Sequence, residues 1–332
     1  MIRSESSDRA HPSRRDVILL GVGAFAITAV PAVLRRKQVL VRRTVPVMGT
    51  IGEIAVVHRE SRYAHGAIDA AIEELRDVER TMTRFTSTSD IGRANLQAAV
   101  EPVPVSRMTA TVLEEGIRWA EASDGVFDPC IGKAMELWDV ANRREPPPAD
   151  EVRQLARHGL YRSLILDAWR GERVVRFADA DVRLDLGGIG KGYGVDRAVE
   201  ALREWGIERA LVNVGGDLYG MGESEDGDPW NVGIRSPENP SQLAGTLEVA
   251  DQAVATSGDY LQFFKHADRR YHHLLDPATG APRQSQLHSV SVTADRCMTA
   301  DAAATAVFGM PKVRAEGLLK VRAAEARIVH SA

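Results

Sequence analysis

The residues best suited to chemistry begin with a glycine-rich turn, residues 185–192, which reads DLGGIGKG. It follows an alternating run, Val182–Leu184, that predicts a strand, and it precedes an amphipathic run, 193–205, that predicts a helix. Backbone N–H groups at such a turn can hold phosphate oxygens, and the Lys191 ammonium adds a positive charge. The pattern is neither a Walker loop nor a GxGxxG fingerprint. Because the Asp185 carboxylate would repel a phosphate, the turn predicts a phosphate site that also holds a cation.

Asp301 and Thr305 form a second candidate group. They lie four residues apart on the alanine-rich run 298–308, which predicts a helix, so they share one face of it. A carboxylate, a hydroxyl and a backbone carbonyl from the glycine turn are oxygen ligands that suit Mg²⁺. An aspartate favoured by the helix dipole and a threonine bonded to its own backbone would give the same spacing. Spacing alone therefore leaves a metal site and a structural role open.

His273 is the candidate proton acceptor. It follows His272 and precedes a tight turn at residues 276–280, which read DPATG. A neutral imidazole can accept a proton near neutral pH, but an adjacent histidine pair is also typical of a structural or solvated strand end. The sequence does not decide which imidazole faces a site. Three further aspartates follow short turns, and each alone is typical of a turn residue: Asp128, Asp217 and Asp259.

Hydrophobic periodicity indicates the elements that must position these groups. Helices are predicted at 63–85, 109–123, 151–158, 193–205 and 298–308. Strands are predicted at 39–57 with a break at 48–50, at 174–186 with a turn at 178–181, and at 209–214, 230–235, 245–249, 253–256 and 287–294. A polar loop with a turn is predicted at 86–95, and an acidic hairpin loop at 222–229. The mixture of hairpins and helices indicates an α+β fold rather than a wound parallel sheet.

Composition narrows the class of partner. The 332 residues can form one large domain or two ordinary ones, and 44% of them are hydrophobic, as in globular proteins. Residues 1–43 hold nine Lys and Arg against three Asp and Glu, whereas the remainder holds 33 against 43. An acidic body argues against nucleic acid as its partner. Cys130 and Cys297 are far apart in sequence and are expected to be separate thiols rather than a disulfide framework.

The N-terminus has the layout of an export signal. A twin-arginine pair, Arg14-Arg15, precedes an apolar run from Val17 to Leu34, and small or apolar residues at 30–32 offer a cleavage site. We expect residues 1–38 to be a twin-arginine signal cleaved near 32, and the protein to be periplasmic or extracytoplasmic. An uncleaved run of this length could instead remain as a membrane anchor.

Eight short motifs, taken in order, resemble those of the FAD:protein FMN transferases, the ApbE family. The resemblance covers residues 40–325. The motifs are MGT at 48–50, SDIGRAN at 89–95, GVFDP at 125–129, DLGGIGKGY at 185–193, VGGD at 214–217, ATSGDY at 255–260, HLLDPATG at 273–280 and ADAAATA at 300–306. Each motif is short, but their joint order is specific to the family.

This resemblance implies an ApbE-like, T-fold-like catalytic unit at 39–332, in which two packed α/β subdomains enclose a cleft for FAD. It implies Mg²⁺-dependent transfer of FMN from FAD to a Thr or Ser hydroxyl of an acceptor protein through a phosphoester bond, with release of AMP. By resemblance, Mg²⁺ would be held by the Gly188 carbonyl and by oxygens of Asp301 and Thr305, and His273 would be the base. The residues expected to contact FAD are Met48, Phe85, Val126, Phe127, Asp128, Asp185, Gly188, Lys191 and Asp217.

Three positions depart from the family pattern. Cys130 stands where Thr is usual, Gly187-Gly188 replaces a Ser-Ala or Ser-Thr pair, and Phe85 stands where Tyr is frequent. Two other functions fit the same motifs, namely a FAD pyrophosphatase that gives FMN and AMP, and a non-catalytic flavin-binding protein. The retained Asp301, Thr305 and Lys191 argue against the latter. The acceptor is expected to be a membrane or extracytoplasmic electron-transfer protein.

Overall fold

The computed structural model describes residues 17–18, 25–28, 38–239 and 241–331, and its architecture is mixed α/β, as predicted. The helices are α1 Ser61–Met82, α2 Asp90–Gln97, α3 Arg107–Ala122, α4 Gly132–Trp138, α5 Ala149–Gln154, α6 Gly190–Glu204, α7 Cys297–Val307 and α8 Lys312–Val321, with a 3-10 helix at Leu160–Ser163. The strands are β1 Val17–Ile18, β2 Phe25–Thr28, β3 Val39–Val47, β4 Thr50–His58, β5 Val103–Pro104, β6 Leu164–Trp169, β7 Glu172–Phe177, β8 Ala210–Val214, β9 Asp217–Met221, β10 Trp230–Arg235, β11 Leu243–Val249, β12 Gln252–Gly258, β13 Phe263–His266, β14 Arg269–His272, β15 Leu275–Asp276, β16 Ala281–Pro282, β17 Leu287–Ala294 and β18 Ala324–Ser331.

An antiparallel sheet of seven strands forms the centre, in the order β18-β17-β12-β9-β8-β4-β3. Its two faces are both apolar, as alternate residues of β4 illustrate. Ile54 and Val56 pack in a core with α1 and α6, whereas Ala55 and Val57 pack in a core with β10 and β11. Because side chains alternate between the faces of a strand, a continuous apolar strand is buried on both sides.

Helix α7 lies between two large cores, and its composition explains why. Ala300 packs with α1 and α6, whereas Ala302, Ala303 and Ala306 pack in a separate core with α3 and β17. Small side chains on all sides allow both cores to approach the helix closely. Its bounds agree with the predicted helix at 298–308, so one helix connects the two cores and carries Asp301 and Thr305.

The prediction that residues 182–186 form a strand was wrong. The segment is extended, but it forms only an isolated bridge between Arg183 and Ile131, and β7 pairs with β5 and β6 instead. The Asn95 side chain replaces a neighbouring strand, because it accepts from the Leu184 N–H at 2.6 Å and donates to the Leu184 carbonyl at 3.0 Å. The Asp185 N–H donates to the carbonyl of Pro129. The Asn95 side chain and the backbone of Pro129 thus hold the extended segment that leads into the glycine turn.

Two predicted loops were also wrong in part. Residues 90–97 form a helix, because the Ser89 hydroxyl caps it by accepting from the Gly92 N–H at 2.9 Å. Residues 222–229 do turn back on themselves, with an antiparallel bridge between Glu223 and Pro229, but the flanking strands β9 and β10 lie in different sheets rather than in one hairpin. The predicted break at 48–50 was correct, because it separates β3 from β4. The helices predicted at 63–85, 109–123 and 193–205 are α1, α3 and α6.

The twin-arginine pair and the cleavage region lie outside the described residues, so the signal remains a prediction. Within its span, the backbone of β2 pairs with β1 and with β10. In the parts of the chain that the structure covers, no helix has both the length and the apolar character to span a bilayer. Cys130 and Cys297 are buried and separate, as predicted.

Candidate active site

The glycine turn leads directly into α6. The N–H groups of Ile189 and Gly190 donate to the Leu186 carbonyl at 3.1 and 2.7 Å, which folds the chain into the helix. The N-cap residue is Ile189, whose side chain cannot accept a hydrogen bond. The first turn of α6 therefore lacks a cap of its own and takes a partner from elsewhere in the chain.

That partner is Asp301 on α7. Its Oδ2 accepts from the Gly192 N–H at 3.0 Å, and the side chain is buried. A Cβ at position 192 would lie 2.3 Å from the Cys297 carbonyl oxygen and 2.8 Å from the Asp301 Cβ, distances that real structures do not show. Glycine at 192 thus allows α6 and α7 to touch at the point where Asp301 reaches the turn.

Asp196 makes the reciprocal contact, which no pattern in the sequence indicated. Helix α7 has Arg296 at its N-cap without a side-chain bond. Asp196 of α6 supplies the cap, because its carboxylate accepts from the N–H groups of Cys297 at 2.7 Å and Met298 at 3.1 Å. Burial raises the pKa of Asp196. The two helices therefore cap one another, which fixes the position of Asp301.

Gly188 and Thr305 meet on the other side of the turn. A Cβ at 188 would lie 2.9 Å from Thr305 Cγ2, 3.0 Å from Thr305 Oγ1 and 3.3 Å from the Phe127 ring. The Thr305 hydroxyl is also 3.4 Å from the hydroxyl of Ser257. The departure to glycine at 188 therefore gives a close approach of the backbone to Thr305 rather than a loose turn.

Lys191 lies between two carboxylates. Its Nζ donates to Asp217 and stands 3.6 Å from Asp301 Oδ1. Burial alone would lower the pKa of Lys191, but the carboxylates of Asp217 and Asp301 outweigh burial and raise it. Burial, with repulsion from Asp217, raises the pKa of Asp301 to about 7. With both carboxylates ionised, the three side chains carry a net charge of −1 in a buried place, where a further cation would be stabilising.

The oxygen atoms at this point suit a hard divalent cation. Asp301 and Thr305 are one helical turn apart on α7, and the backbone of Gly188 contacts Thr305. Nowhere in the described residues do three or more His, Cys, Asp or Glu side chains form a metal-binding cluster. The side chains here that could hold an ion are the Asp301 carboxylate and the Thr305 hydroxyl, and such a pair leaves coordination positions for backbone and substrate oxygens and for water.

The two adjacent histidines have different environments. His272 is buried, its Nδ1 accepts from the Leu274 N–H at 3.2 Å, and its Nε2 bonds the Arg283 carbonyl at 3.1 Å. Both nitrogens of His272 are thus committed to the backbone. His273 is partly exposed, and its Nδ1 bonds the Gln262 carbonyl at 3.2 Å. Because a carbonyl only accepts, Nδ1 carries the proton and Nε2 keeps its lone pair.

The pKa values of the pair agree with this assignment. Burial lowers the pKa of His273 to about 4, and the charge of nearby Lys191 acts in the same direction. Burial also lowers the pKa of His272. Both rings are therefore neutral at pH 7, and only His273 has a ring nitrogen without a partner among the described residues. Of the two imidazoles, His273 therefore keeps a ring nitrogen that can accept a proton, and its role as the base remains a prediction.

Arg84 neutralises Asp185, in place of the bound cation that was expected to do so. Its Nε lies 2.7 Å from Asp185 Oδ2, while Asp185 Oδ1 accepts from the Gly187 N–H at 2.8 Å. The carboxylate therefore has a guanidinium partner and does not require a bound cation. Arg84 also covers the ring of Phe85 at 4.3 Å, and Phe85 is 80% exposed. The exposed ring is available for contact at the edge of the site.

The turn at 126–130 is held by its own aspartate. Asp128 is buried, and its two oxygens accept from the N–H groups of Cys130 at 2.9 Å and Tyr161 at 3.1 Å. Burial raises the pKa of Asp128 to about 6. Asp128 thus occupies the position of a turn-forming residue, and it is Phe127 that faces Gly188, since a Cβ there would lie 3.3 Å from its ring. Cys130 is fully buried, so its departure from Thr lies in the core.

Arg283 joins this turn to the end of α7. The buried guanidinium donates to the carbonyls of Val126 at 2.6 Å, Thr305 at 2.7 Å and Phe308 at 2.8 Å, and to that of Leu275 at 3.0 Å. Burial lowers the pKa of Arg283 to about 10, so it remains charged at pH 7. A cation at the C-terminus of a helix is favoured by the dipole and satisfies its last carbonyls. Arg283 is a further site component, beside Asp196 and Arg84, that the sequence did not reveal.

Met48 completes the surroundings of the turn. It begins the two-residue connection of β3 and β4 with φ of 52°, followed by Gly49 with φ of 69°, as in a type I′ hairpin. A Cβ at Gly194 would lie 2.8 Å from the Met48 sulfur. The missing side chain at 194 thus lets Met48 rest on the first turns of α6, close to the glycine turn.

The chain is similar to known proteins along most of its length. The sequence profile of the ApbE family matches residues 48–328. The FAD:protein FMN transferase of Treponema pallidum is 33% identical over 289 residues, covering 82% of this chain and 80% of its own, and that of Vibrio cholerae is 32% identical over 278 residues, covering 81% of each.

Solved structures agree. The ApbE protein of Thermotoga maritima has a TM-score of 0.78 at 27% identity, covering 88% of this chain and 97% of its own. The flavin transferase ApbE of Vibrio cholerae has a TM-score of 0.75 at 29% identity, covering 87% and 93%. The fold predicted by resemblance is confirmed.

Proposed function

The chain belongs to the ApbE family, and we propose that it transfers the FMN part of FAD to a threonine or serine hydroxyl of an acceptor protein, with Mg²⁺ bound, and releases AMP. Flavin transfer from FAD to an acceptor protein is the activity in the names of its relatives. The Mg²⁺ ion, the phosphoester bond and the leaving group are our inferences from the site.

One observation carries the proposal: a carboxylate and a hydroxyl of α7 lie against the glycine turn that begins α6. Asp301 caps the first turn of α6, and Thr305, one helical turn further along α7, lies so close to Gly188 that a Cβ there would be 3.0 Å from its hydroxyl oxygen. When Asp301 is ionised, Asp217, Lys191 and Asp301 together carry a net charge of −1, which favours a cation. When bound there, Mg²⁺ would neutralise charge on the pyrophosphate of FAD and on the departing AMP.

The protein's own groups supply position and proton transfer. The acceptor hydroxyl oxygen forms a bond to the FMN phosphorus, the bond from that phosphorus to the AMP oxygen breaks, and the hydroxyl proton goes to a base. His273 suits that role because its Nδ1 donates to Gln262 and its Nε2 is unprotonated at pH 7. Phosphoryl transfer depends mainly on positioning and charge, and the mutual capping of α6 and α7 provides a fixed frame for both.

The test uses a pool of synthetic peptides with one central threonine and randomised flanks, incubated with the protein, FAD and Mg²⁺. We expect covalently bound flavin, detected by fluorescence and mass spectrometry, and none with alanine in place of threonine or with EDTA. Asp301→Asn should lower transfer by about a hundredfold or more. The control Asp226→Asn changes a carboxylate in the 222–229 loop and should leave transfer unchanged.

AMP release separates transfer from hydrolysis. If AMP forms at the same rate with and without acceptor peptide, and no peptide carries flavin, the protein is a FAD pyrophosphatase and the transfer proposal is wrong. If neither AMP nor labelled peptide forms while FAD binds, the chain is a flavin-binding protein.

We also propose that the protein is exported by the twin-arginine route and acts in the periplasm or elsewhere outside the cytoplasm. Arg14-Arg15 before the apolar run 17–34 supports this. A flavin transferase in that compartment would modify an extracytoplasmic or membrane electron-transfer protein.

A further inference from the structure

A groove of about 400 Å³ lies beside the candidate base. It runs between residues 140–144 and β13, and Gln262 belongs to its wall. The carbonyl of Gln262 accepts from both the backbone N–H and the Nδ1 of His273, each at 3.2 Å. The groove and the base are therefore joined at one residue.

One side of the groove is the open edge of a two-stranded hairpin. β13 pairs with β14, and β13 has no second neighbour within the described part of the chain. Gln262 and His273 form a bonded pair, so in an antiparallel ladder Phe264 bonds to Tyr271 while the N–H and C=O groups of Phe263 and Lys265 point away from β14. The hairpin presents backbone donors and acceptors to the groove.

The hairpin is anchored, so this edge is a fixed feature. Phe264 is buried and stacks on Tyr271 with 5.2 Å between ring centroids, and Tyr271 stacks on Trp138 at 5.7 Å. Phe263 is more than a third exposed on the opposite face of the strand. An added strand would find both a backbone partner and an apolar contact, as in peptide recognition by strand addition.

The groove wall is positively charged. It contains Arg144 and Lys265 and no Asp or Glu. Arg144 donates to the backbone carbonyls of Ala141 and Arg143, and neither cation has an ion-pair partner among residues 38–239 and 241–325. A cation on an edge strand also discourages aggregation, so its presence alone would not define a ligand. Here, the two cations lie beside the open edge of β13 and close to His273, the candidate base.

We propose that this groove binds the target segment of the acceptor as an extended, acidic strand along β13, which brings its hydroxyl to His273 Nε2. The inference rests on the proposed function, because it identifies how the acceptor of that reaction is recognised. Extended chain advances about 3.3 Å per residue, so a segment bonded along residues 263–265 reaches the position of His273 within a few residues.

The randomised peptide pool tests the proposal without a known acceptor. We expect flavin-labelled peptides from the wild type to be enriched in Asp and Glu near the threonine. The double variant Arg144→Glu, Lys265→Glu should lose this enrichment and label acidic peptides at least about tenfold more slowly. A matched control, Lys312→Glu with Lys320→Glu on α8, makes the same charge change elsewhere and should behave as wild type.

A second pair of variants tests the strand edge. The N–H of residue 265 points away from β14 and makes no bond to it. Lys265→Pro removes this N–H and should slow the labelling of every peptide. Lys265→Ala keeps the N–H and should lose only the preference for acidic peptides. Binding of FAD, measured by fluorescence quenching, should be unchanged in all variants and verifies their folding.

The outcomes are distinct. Labelling without acidic enrichment, or with the same enrichment in the double variant, would overturn the docking proposal alone. Absence of labelled peptide in every sample would overturn the proposed function and the docking proposal with it. A wild-type dimer that the double variant converts to monomer, with peptide labelling unchanged, would assign the groove to a second copy of the chain and overturn the proposal.

Discussion

Gly192 shows how a single missing side chain can determine the site. Its Cα faces the Cys297 carbonyl and the Asp301 side chain without room for a methyl group, and its N–H is the group that Asp301 caps. The same contact that packs α6 on α7 therefore positions the carboxylate that could hold a cation. At this scale, packing and chemistry depend on the same atom positions.

We predict that Gly192→Ala lowers the free energy of unfolding by about 2 kcal/mol and slows flavin transfer, because α7 must move away and carry Asp301 with it. Gly317→Ala provides the matched control. It lies inside α8 with open space around its Cα, so the usual helix preference should raise stability by about 0.5–1 kcal/mol. Urea unfolding measures both, and equal signs for the two substitutions would contradict the packing argument.

Arg283 connects elements that lie far apart in sequence. It binds carbonyls at the end of α7, in the 126–130 turn and at β15. These elements surround Thr305 and Phe127, so one guanidinium holds the helix with the oxygen donors against the turn that contacts Gly188.

We predict that Arg283→Met lowers the free energy of unfolding by about 3 kcal/mol, since several buried carbonyls lose their donor while the apolar stem is kept. The control Arg80→Met, on the exposed face of α1, should change stability by less than about 0.5 kcal/mol. Chemical denaturation with both variants checks this. A loss no greater than that of the control would mean that water replaces the guanidinium.

The central sheet contains a buried carboxylate that should make stability depend on pH. Glu53 of β4 is 4% exposed, and its Oε1 has no hydrogen bond among the described residues. Burial raises the pKa of Glu53 from about 4.5 to about 7, against the opposing effect of Arg42. Because the folded state holds this proton more tightly, the Glu53 contribution to stability is present below about pH 4.5 and is lost as pH rises towards 7.

Glu53→Gln is therefore expected to be more stable than wild type at pH 8, by up to about 3 kcal/mol, and similar to it near pH 4.5. The exposed Glu204→Gln serves as control and should not change the pH slope. Urea unfolding at pH 5 and pH 8 gives the comparison. The burial argument fails if wild type and Glu53→Gln differ equally at both pH values.

Local sequence patterns predicted most helices and strands correctly, but they did not predict which distant residues contact one another. The spacing of Asp301 and Thr305 follows from the geometry of one helix, so their shared face was correct from the sequence. Arg84, Asp196 and Arg283 were missed because each acts on a residue about 100 or more positions away, and no local rule connects them. Residues 182–186 were assigned to a strand because extended chain alternates in the same way whether another strand or the Asn95 side chain bonds it.

The whole molecule divides into parts of opposite charge. Residues 1–43 are basic, whereas the folded body has ten more acidic than basic residues. Such a body repels polyanions. The groove beside β13, with two cations and no acidic residue in its wall, is a local exception that would attract an acidic partner. The basic segment carries the twin-arginine pair.

The export proposal therefore makes a prediction at the scale of the whole chain. Replacing Arg14 and Arg15 by lysine keeps the charge but removes the pair that defines the twin-arginine signal, so the variant should remain in the cytoplasm at full length. Wild type should be found outside the cytoplasm and shortened by about 32 residues if the predicted cleavage occurs. The same replacement at Arg35 and Arg36, beyond the apolar run, preserves the signal and should not affect export.

Fractionation followed by mass spectrometry of the N-terminus distinguishes these results. Equal distribution of wild type and the Arg14, Arg15 variant would show that the pair is not read as a signal, and the acceptor would then have to be sought in the compartment where both are found.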